Sequence, residues 1–150
     1  MVSTISLIQA NLQHSTVASG ILTKTVGVKG IDMALIQEPW YRKDCIRGLY
    51  IPGYTLYSAG GKDGPRACIL ARDMDIWMLP GFSCRDLVVV LVKYFEDGAD
   101  RQLVVCSAYL PYDSEDPPPR QGSWRNLCDN VRVKISNCGA QLQCTSCCLG

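Results

Sequence analysis

Histidine is nearly missing from this 150-residue chain, and neither sign of charge is in excess. The single imidazole, His14, is the only residue that could act as a general base of the histidine type, and its setting is that of an ordinary helix-start residue. A formal net charge of +1 excludes the strongly basic balance that by itself suggests wrapping of nucleic acid, so any such role has to come from a local site. Long apolar runs are also lacking. The stretch "MVSTISLIQANLQHS" has no basic leader region and is interrupted by Gln9 and Asn11, so neither a signal peptide nor a membrane span is expected. An intracellular location, the nucleus included, is the resulting expectation. No internal repeat is visible.

What is present reads as one globular domain, with 47% hydrophobic and 19% charged residues. Cysteine is plentiful and oddly distributed. Cys45, Cys68, Cys84 and Cys106 stand singly and suit small core positions, whereas Cys128, Cys138, Cys144, Cys147 and Cys148 crowd the last stretch. A structural zinc needs four ligands on a closing scaffold, and the tail offers one Cys-x-x-Cys pair with no second pair and no nearby histidine.

Apolar, β-branched runs at Ile5 to Ala10 and at "MALIQ", Met33 to Gln37, suit buried strands. Between them Ser15 can cap a helix in which Val17, Ile21, Leu22 and Val26 recur at helical spacing before Gly27 and Gly30 end it. Closely spaced strands follow at Tyr54 to Ser58, Ala67 to Ala71, Ile76 to Leu79, Leu87 to Phe95 and Leu103 to Leu110. Asp97-Gly98 tolerates positive φ and supplies the turn between the last two. This order predicts an α/β sheet layer.

Three polar residues sit where apolar strands end: Asn11, Glu38 and Tyr109. A carboxylate there can bind a divalent cation, an amide can orient a phosphate, and a phenol can donate to a developing anion, which is the chemistry of phosphodiester hydrolysis. Each alone is more simply a turn or packing residue. Together they fall in "LIQANLQHS", "ALIQEPW", "GPRACIL", "CRDLVVV" and "SAYLPYD", which in this order and spacing resemble the endonuclease domain of non-LTR retrotransposons, within the endonuclease/exonuclease/phosphatase superfamily. The resemblance covers about Ile5 to Gln121. It implies a two-layer α/β sandwich that nicks DNA with Mg²⁺, in which Asn11 matches the active-site Asn, Glu38 the metal-binding Glu and Tyr109 the active-site Tyr, with Glu38 and Asn11 as the residues toward the metal. Arg66 and Arg85 fall in shared blocks, as phosphate contacts or as structural ion pairs, and Asp86 can cap or pair locally.

The family pattern stops after the proline turn. Its later Asp-x-Asn element with "AHH" and its Ser-Asp-His element do not occur here. The segment "GSWRNLCDNVRVKISNCGAQLQCTSCCLG" has neither apolar periodicity nor family blocks. Read in neighbouring frames, "GSWRN" can give E-L-E-E and "QLQCTSCCLG" permits N-C-N-A-H-H-V-A-W, as a decayed copy or an error-containing gene model would. The expected organisation is therefore 1–121 as the N-terminal part of the domain and 122–150 as an out-of-frame or irregular tail. The expected fold is a partial two-layer α/β sandwich of the endonuclease/exonuclease/phosphatase type, truncated after about its first half. The expected function is a Mg²⁺-dependent DNA endonuclease by resemblance, of the reverse-transcriptase-associated kind, inactive as this chain. The alternative is a non-enzymatic interaction module, binding DNA weakly or self-associating through open strand edges. Half a sandwich leaves the apolar face of "LVVVLV" uncovered, so marginal stability is expected.

Overall fold

Short apolar runs that alternate toward two different partners build this molecule. The computed structural model describes residues 5–110; the tail at 122–150, with its five cysteines, lies outside the described residues.

Leu7–Asn11 (β1) and Met33–Gln37 (β2) pair in parallel, Leu7 opposite Met33 and Asn11 opposite Gln37. A parallel pair needs a crossover, and Thr16–Lys29 (α1) supplies it. Ser15 caps α1, its hydroxyl accepting the Ala18 N–H, as its sequence position predicts. The stop differs from expectation: Gly27 stays inside the helix, and Gly30 ends it at φ 62°, its N–H donating to the Val26 carbonyl. Arg72 adds a side-chain cap by donating to the Gly30 carbonyl at 2.7 Å, a cation where the helix dipole is negative.

Tyr41–Arg42 (β3) and Cys45–Ile46 (β4) form a small hairpin that the sequence pattern did not suggest, and Tyr54–Ser58 (β5) with Ala67–Arg72 (β6) completes the first sheet in the order β1-β2-β6-β5. Asp75–Met78 (β7), Leu87–Glu96 (β8) and Ala99–Ala108 (β9) form a second, antiparallel sheet. The Asp97-Gly98 turn has φ of 52° and 76° and joins β8 to β9 as expected. The last strand begins four residues before the expected Leu103 and ends before Tyr109.

The central strands are buried on both faces, which explains their unbroken apolar character. Ala34 and Ile36 of β2 and Cys68 and Leu70 of β6 meet Leu22 and Val26 of α1. Their neighbours Met33, Ile69 and Ala71 point the other way, against Val88, Val90, Val92 and Val105 of the second sheet. The layers are helix, sheet, sheet. Helix α1 buries less of its predicted face than its spacing suggests: Leu22 and Val26 are inside, but Val17 and Ile21 are 69% and 62% exposed. The expected bare face of "LVVVLV" is also corrected. Val89 is fully buried against Leu79 and Phe82, because the segment 79–83 folds back, Leu79 N–H donating to the Val89 carbonyl and Val89 N–H to the Ser83 hydroxyl. Exposure on that side is concentrated at Trp77 and Phe95. Among the described residues no helix is long and apolar enough to cross a membrane.

Cys68 lies in the core, and burial pushes its thiol from an ordinary 9.0 up to about 12. A thiol held protonated is a poor nucleophile. In mildly alkaline buffer iodoacetamide is expected to alkylate exposed Cys84 and spare Cys68 until the chain unfolds, as read by peptide mass spectrometry. The same group makes stability pH-dependent. Between 9.0 and about 12 the unfolded chain releases a proton that the folded chain keeps, so this contribution is complete below that window and is lost as pH rises through it.

Candidate active site

Five strand ends converge on one rim. β1 and β2 run in parallel and deliver Asn11 and Glu38 at their C-terminal ends. β6 is antiparallel to β2, Gln37 opposite Ala67, so Arg66 enters beside Glu38, whose N–H donates to the Arg66 carbonyl at 2.8 Å. In the other sheet Leu87 lies opposite Ala108, and the next pair outward is Asp86 with Tyr109, Tyr109 N–H donating to the Asp86 carbonyl at 2.8 Å. The two sheets are tied just inside this rim by the buried Ser107 hydroxyl, which donates to the Ile36 carbonyl at 3.1 Å. Ser107 stands two residues before Tyr109 and Ile36 two before Glu38, which brings the phenol and the carboxylate together.

Glu38 itself adopts a left-handed backbone at φ 48°, as do Gln13 and His14 at 48° and 56°. For a non-glycine residue this costs on the order of 1–3 kcal/mol and persists only where surrounding bonds over-determine it. Here the ladder continues past the strand ends: Leu12 N–H donates to the Gln37 carbonyl and His14 N–H to the Glu38 carbonyl, both at 2.9 Å. The result turns the Glu38 side chain to the rim, where it is 21% exposed.

The Tyr109 phenol is held above the ordinary tyrosine range, first by hydrogen bonding to the Glu38 carboxylate, then by desolvation and the charge of Glu38, with the Arg66 cation acting in the opposite direction. It therefore remains a proton donor. The Arg66 guanidinium grips both oxygens of Asp86 and lies over the Tyr109 ring, 4.9 Å from its centroid. The bond to Asp86 is the main reason that its pKa is raised further. Of the two readings of Arg66, the structure displays the ion pair. Arg85 serves the loop, its Nε donating to the Gly64 carbonyl at 2.9 Å and its carbonyl accepting from Arg66 and Ala67.

Asn11 Oδ1 accepts the Gln13 N–H at 2.9 Å, closing a local turn, and an amide oxygen retains a second lone pair. Among the described residues no group of three or more His, Cys, Asp or Glu side chains gathers as a cage. Mg²⁺ is commonly held by one or two carboxylates and several waters. The donor chemistry here, a partly open carboxylate and an amide oxygen at the ends of two paired strands, fits such a hydrated ion. His14, read from sequence as a helix-start residue, lies closer to the site than that reading implied. Its Nδ1 is 3.1 Å from the Pro39 carbonyl and its Nε2 is 4.0 Å from Glu38 Oε1. The signal was the spacing of "NLQH", which returns position 14 to the strand end only because Gln13 and His14 turn left-handed. Next to the rim, Pro65 lines an open cleft of about 760 Å³ shared with Tyr41, Lys62 and Ser58.

The layers and the strand order define a partial α/β fold of the endonuclease/exonuclease/phosphatase type. Within that class the chain is similar to the endonuclease domain of TRAS1, a telomere-specific non-LTR retrotransposon, at 25% identity and a TM-score of 0.59, over 83% of this chain and 53% of that one. It thus spans about half the length of that domain. Also similar are an endonuclease/exonuclease/phosphatase family protein from Leptotrichia buccalis, at 16% identity and TM-score 0.46 over 89% of this chain and 65% of that one, and a humanized D. rerio TDP2, at 18% and 0.43 over 68% and 46%. No family model matches the chain, and no curated protein sequence matches it.

Proposed function

We propose that this chain carries the cation- and phosphate-handling part of a Mg²⁺-dependent DNA endonuclease site and that, by itself, it does not complete the reaction. The observation that carries the reading is the meeting of strand ends on one rim, Glu38 bonded to Arg66 through the backbone and Arg66 lying over Tyr109, where β1 also ends at Asn11. Likeness to the TRAS1 endonuclease domain supports it. Glu38, with Asn11, would hold Mg²⁺, which when bound supplies Lewis-acid polarisation of a phosphoryl oxygen. Tyr109, kept protonated beside Glu38, donates a hydrogen bond toward charge building on the phosphate. The missing Asp-x-Asn and Ser-Asp-His elements are the reason for proposing that proton transfer to and from the scissile bond is not supplied.

Plasmid nicking and Mg²⁺ titration separate the two halves of this reading. The chain with Mg²⁺ is expected to nick supercoiled DNA no faster than Glu38→Ala, while Mg²⁺ is expected to shift the NMR signals of Asn11 and Tyr109 in the wild type and not in Glu38→Ala. Nicking that depends on Glu38 would overturn the inactivity and keep the site. Mg²⁺ shifts that survive Glu38→Ala would overturn the site.

DNA is the proposed partner, held weakly because a net charge of +1 offers few phosphate contacts. An intracellular, nuclear place of action goes with that substrate. A second reading, self-association, is favoured by the ten-residue strand β9, which among the described residues pairs on one side only. Sedimentation showing a single monomeric species across a wide concentration range would remove it.

A further inference from the structure

Tyr109 and Glu38 belong to different sheets, so no strand ladder fixes the distance between them. Besides the Ser107–Ile36 hydrogen bond, a ring of four residues fixes it. The Glu38 N–H donates to the Arg66 carbonyl, and the Tyr109 N–H donates to the Asp86 carbonyl, both at 2.8 Å. Arg66 then spans the gap through its side chain, its planar fork closed on the two oxygens of Asp86, with Arg66 and Asp86 side chains only 27% and 15% exposed. Its guanidinium carbon lies over the Tyr109 ring, 4.9 Å from the centroid, on the rim where the Ser107–Ile36 hydrogen bond brings Tyr109 and Glu38 together. Two backbone joints and two side-chain joints close the circuit from one sheet to the other.

We infer that Arg66 and Asp86 are a positioning pair that orients the Tyr109 ring against Glu38, rather than residues that bind phosphate themselves. The fork geometry supports this. A guanidinium bound to a carboxylate through two N–H groups has those donors occupied, and here its cation lies over the aromatic ring. Lysine in place of Arg66 keeps the charge but loses the fork and the plane, and Asp86→Asn keeps the size but loses the charge that holds the fork. Either change leaves the ring free to turn about its side-chain bonds. The inference rests on the reading that Tyr109 acts at the Glu38 site, but its test does not require turnover.

The chain labelled with carbon-13 at the tyrosine hydroxyl-bearing carbon provides the readout, with Tyr109 assigned by its loss in Tyr109→Phe. Glu38→Gln is expected to move the Tyr109 signal in the wild-type background. In Asp86→Asn, and separately in Arg66→Lys, that response is expected to be at least halved, the non-additivity of residues acting as a unit. Tyr54 is the internal control. It sits at the opposite end of the sheet, its hydroxyl donating to the Ile31 carbonyl at 2.8 Å, and is expected to stay unmoved. An undiminished Glu38→Gln response in both backgrounds overturns the positioning role, as does a Tyr54 signal that moves together with Tyr109, which would mean a loosened fold. Arg66→Lys keeps the test available if Asp86→Asn does not fold. A Tyr109 response to Mg²⁺ that is absent in the wild type defeats the functional reading of the site and leaves the coupling to be judged on its own.

Discussion

Ile69→Ala is expected to lower stability by about 3 kcal/mol, within the usual range of roughly 2–5 kcal/mol for truncating a buried isoleucine to alanine. Ile69 is fully buried in β6, with β2 on one side and β5 on the other. Its side chain points at Val88, Val90 and Val105 of the opposite sheet. The cost depends on how far the surroundings can collapse into the space. Here both walls are ladders held in register by backbone hydrogen bonds, so they close only a little. Native domains are stable by only about 5–15 kcal/mol, so one such cavity removes a large fraction of the total. The shift in urea midpoint at unchanged slope measures it. Val17→Ala is the control, an apolar residue of α1 that is 69% exposed, and its effect is expected within about 0.5 kcal/mol. Equal shifts in the two variants would mean that the sheets do not press on each other as described.

Gly64→Ala is expected to cost about 2–4 kcal/mol, combining left-handed backbone strain with a forced shift of packed groups. Gly64 has φ of 74°, and a Cβ built on it would stand 2.5, 2.6 and 2.9 Å from Tyr41 Cδ1, Cε1 and Cγ. Neither side can yield freely. The Gly64 carbonyl is held by Arg85 Nε at 2.9 Å, and Tyr41 is paired with Ile46 in its hairpin. Thermal unfolding of Gly64→Ala in the wild-type and Tyr41→Ala backgrounds separates the causes. Removing the ring should relieve the overlap and leave the backbone cost, about 1–2 kcal/mol for a side chain in this region. The same loss in both backgrounds would show that the ring is not the obstacle. Because Arg85 also receives the Arg66 N–H on its carbonyl, the displaced loop is expected to disturb the Tyr109 signal as well.

The strands were legible because their cause is local. "MALIQ" and "ACILA" have too few polar residues to face water on either side, and both became central strands buried on two faces. Ser15 and Asp97-Gly98 carry their own capping and turn chemistry and behaved as read. The β3–β4 hairpin was not legible: two-residue strands leave no periodicity, and its turn at Lys43 and Asp44 uses positive φ without a glycine. The helix face was half legible. Val17, Ile21, Leu22 and Val26 are equally apolar, and nothing in their spacing says that the sheet touches only the last two. The candidate site was legible as a set of residue types at strand ends, and the resemblance named the same three. Neither said that His14 would come within 4.0 Å of Glu38.

By itself the sequence determined which segments extend, where they turn, and that a carboxylate, an amide and a phenol would each follow an apolar strand. These depend on backbone preference and on the side chains of near neighbours. Only the tertiary structure decided what those groups meet. Arg66 could have faced solvent, a phosphate or a carboxylate. Asp86, 20 residues away in the other sheet, became its partner because β6 and β8 begin at the same rim. The partner of a charge is set by which strand ends the packing of two sheets brings together, and that is a non-local fact that no short stretch of chain contains.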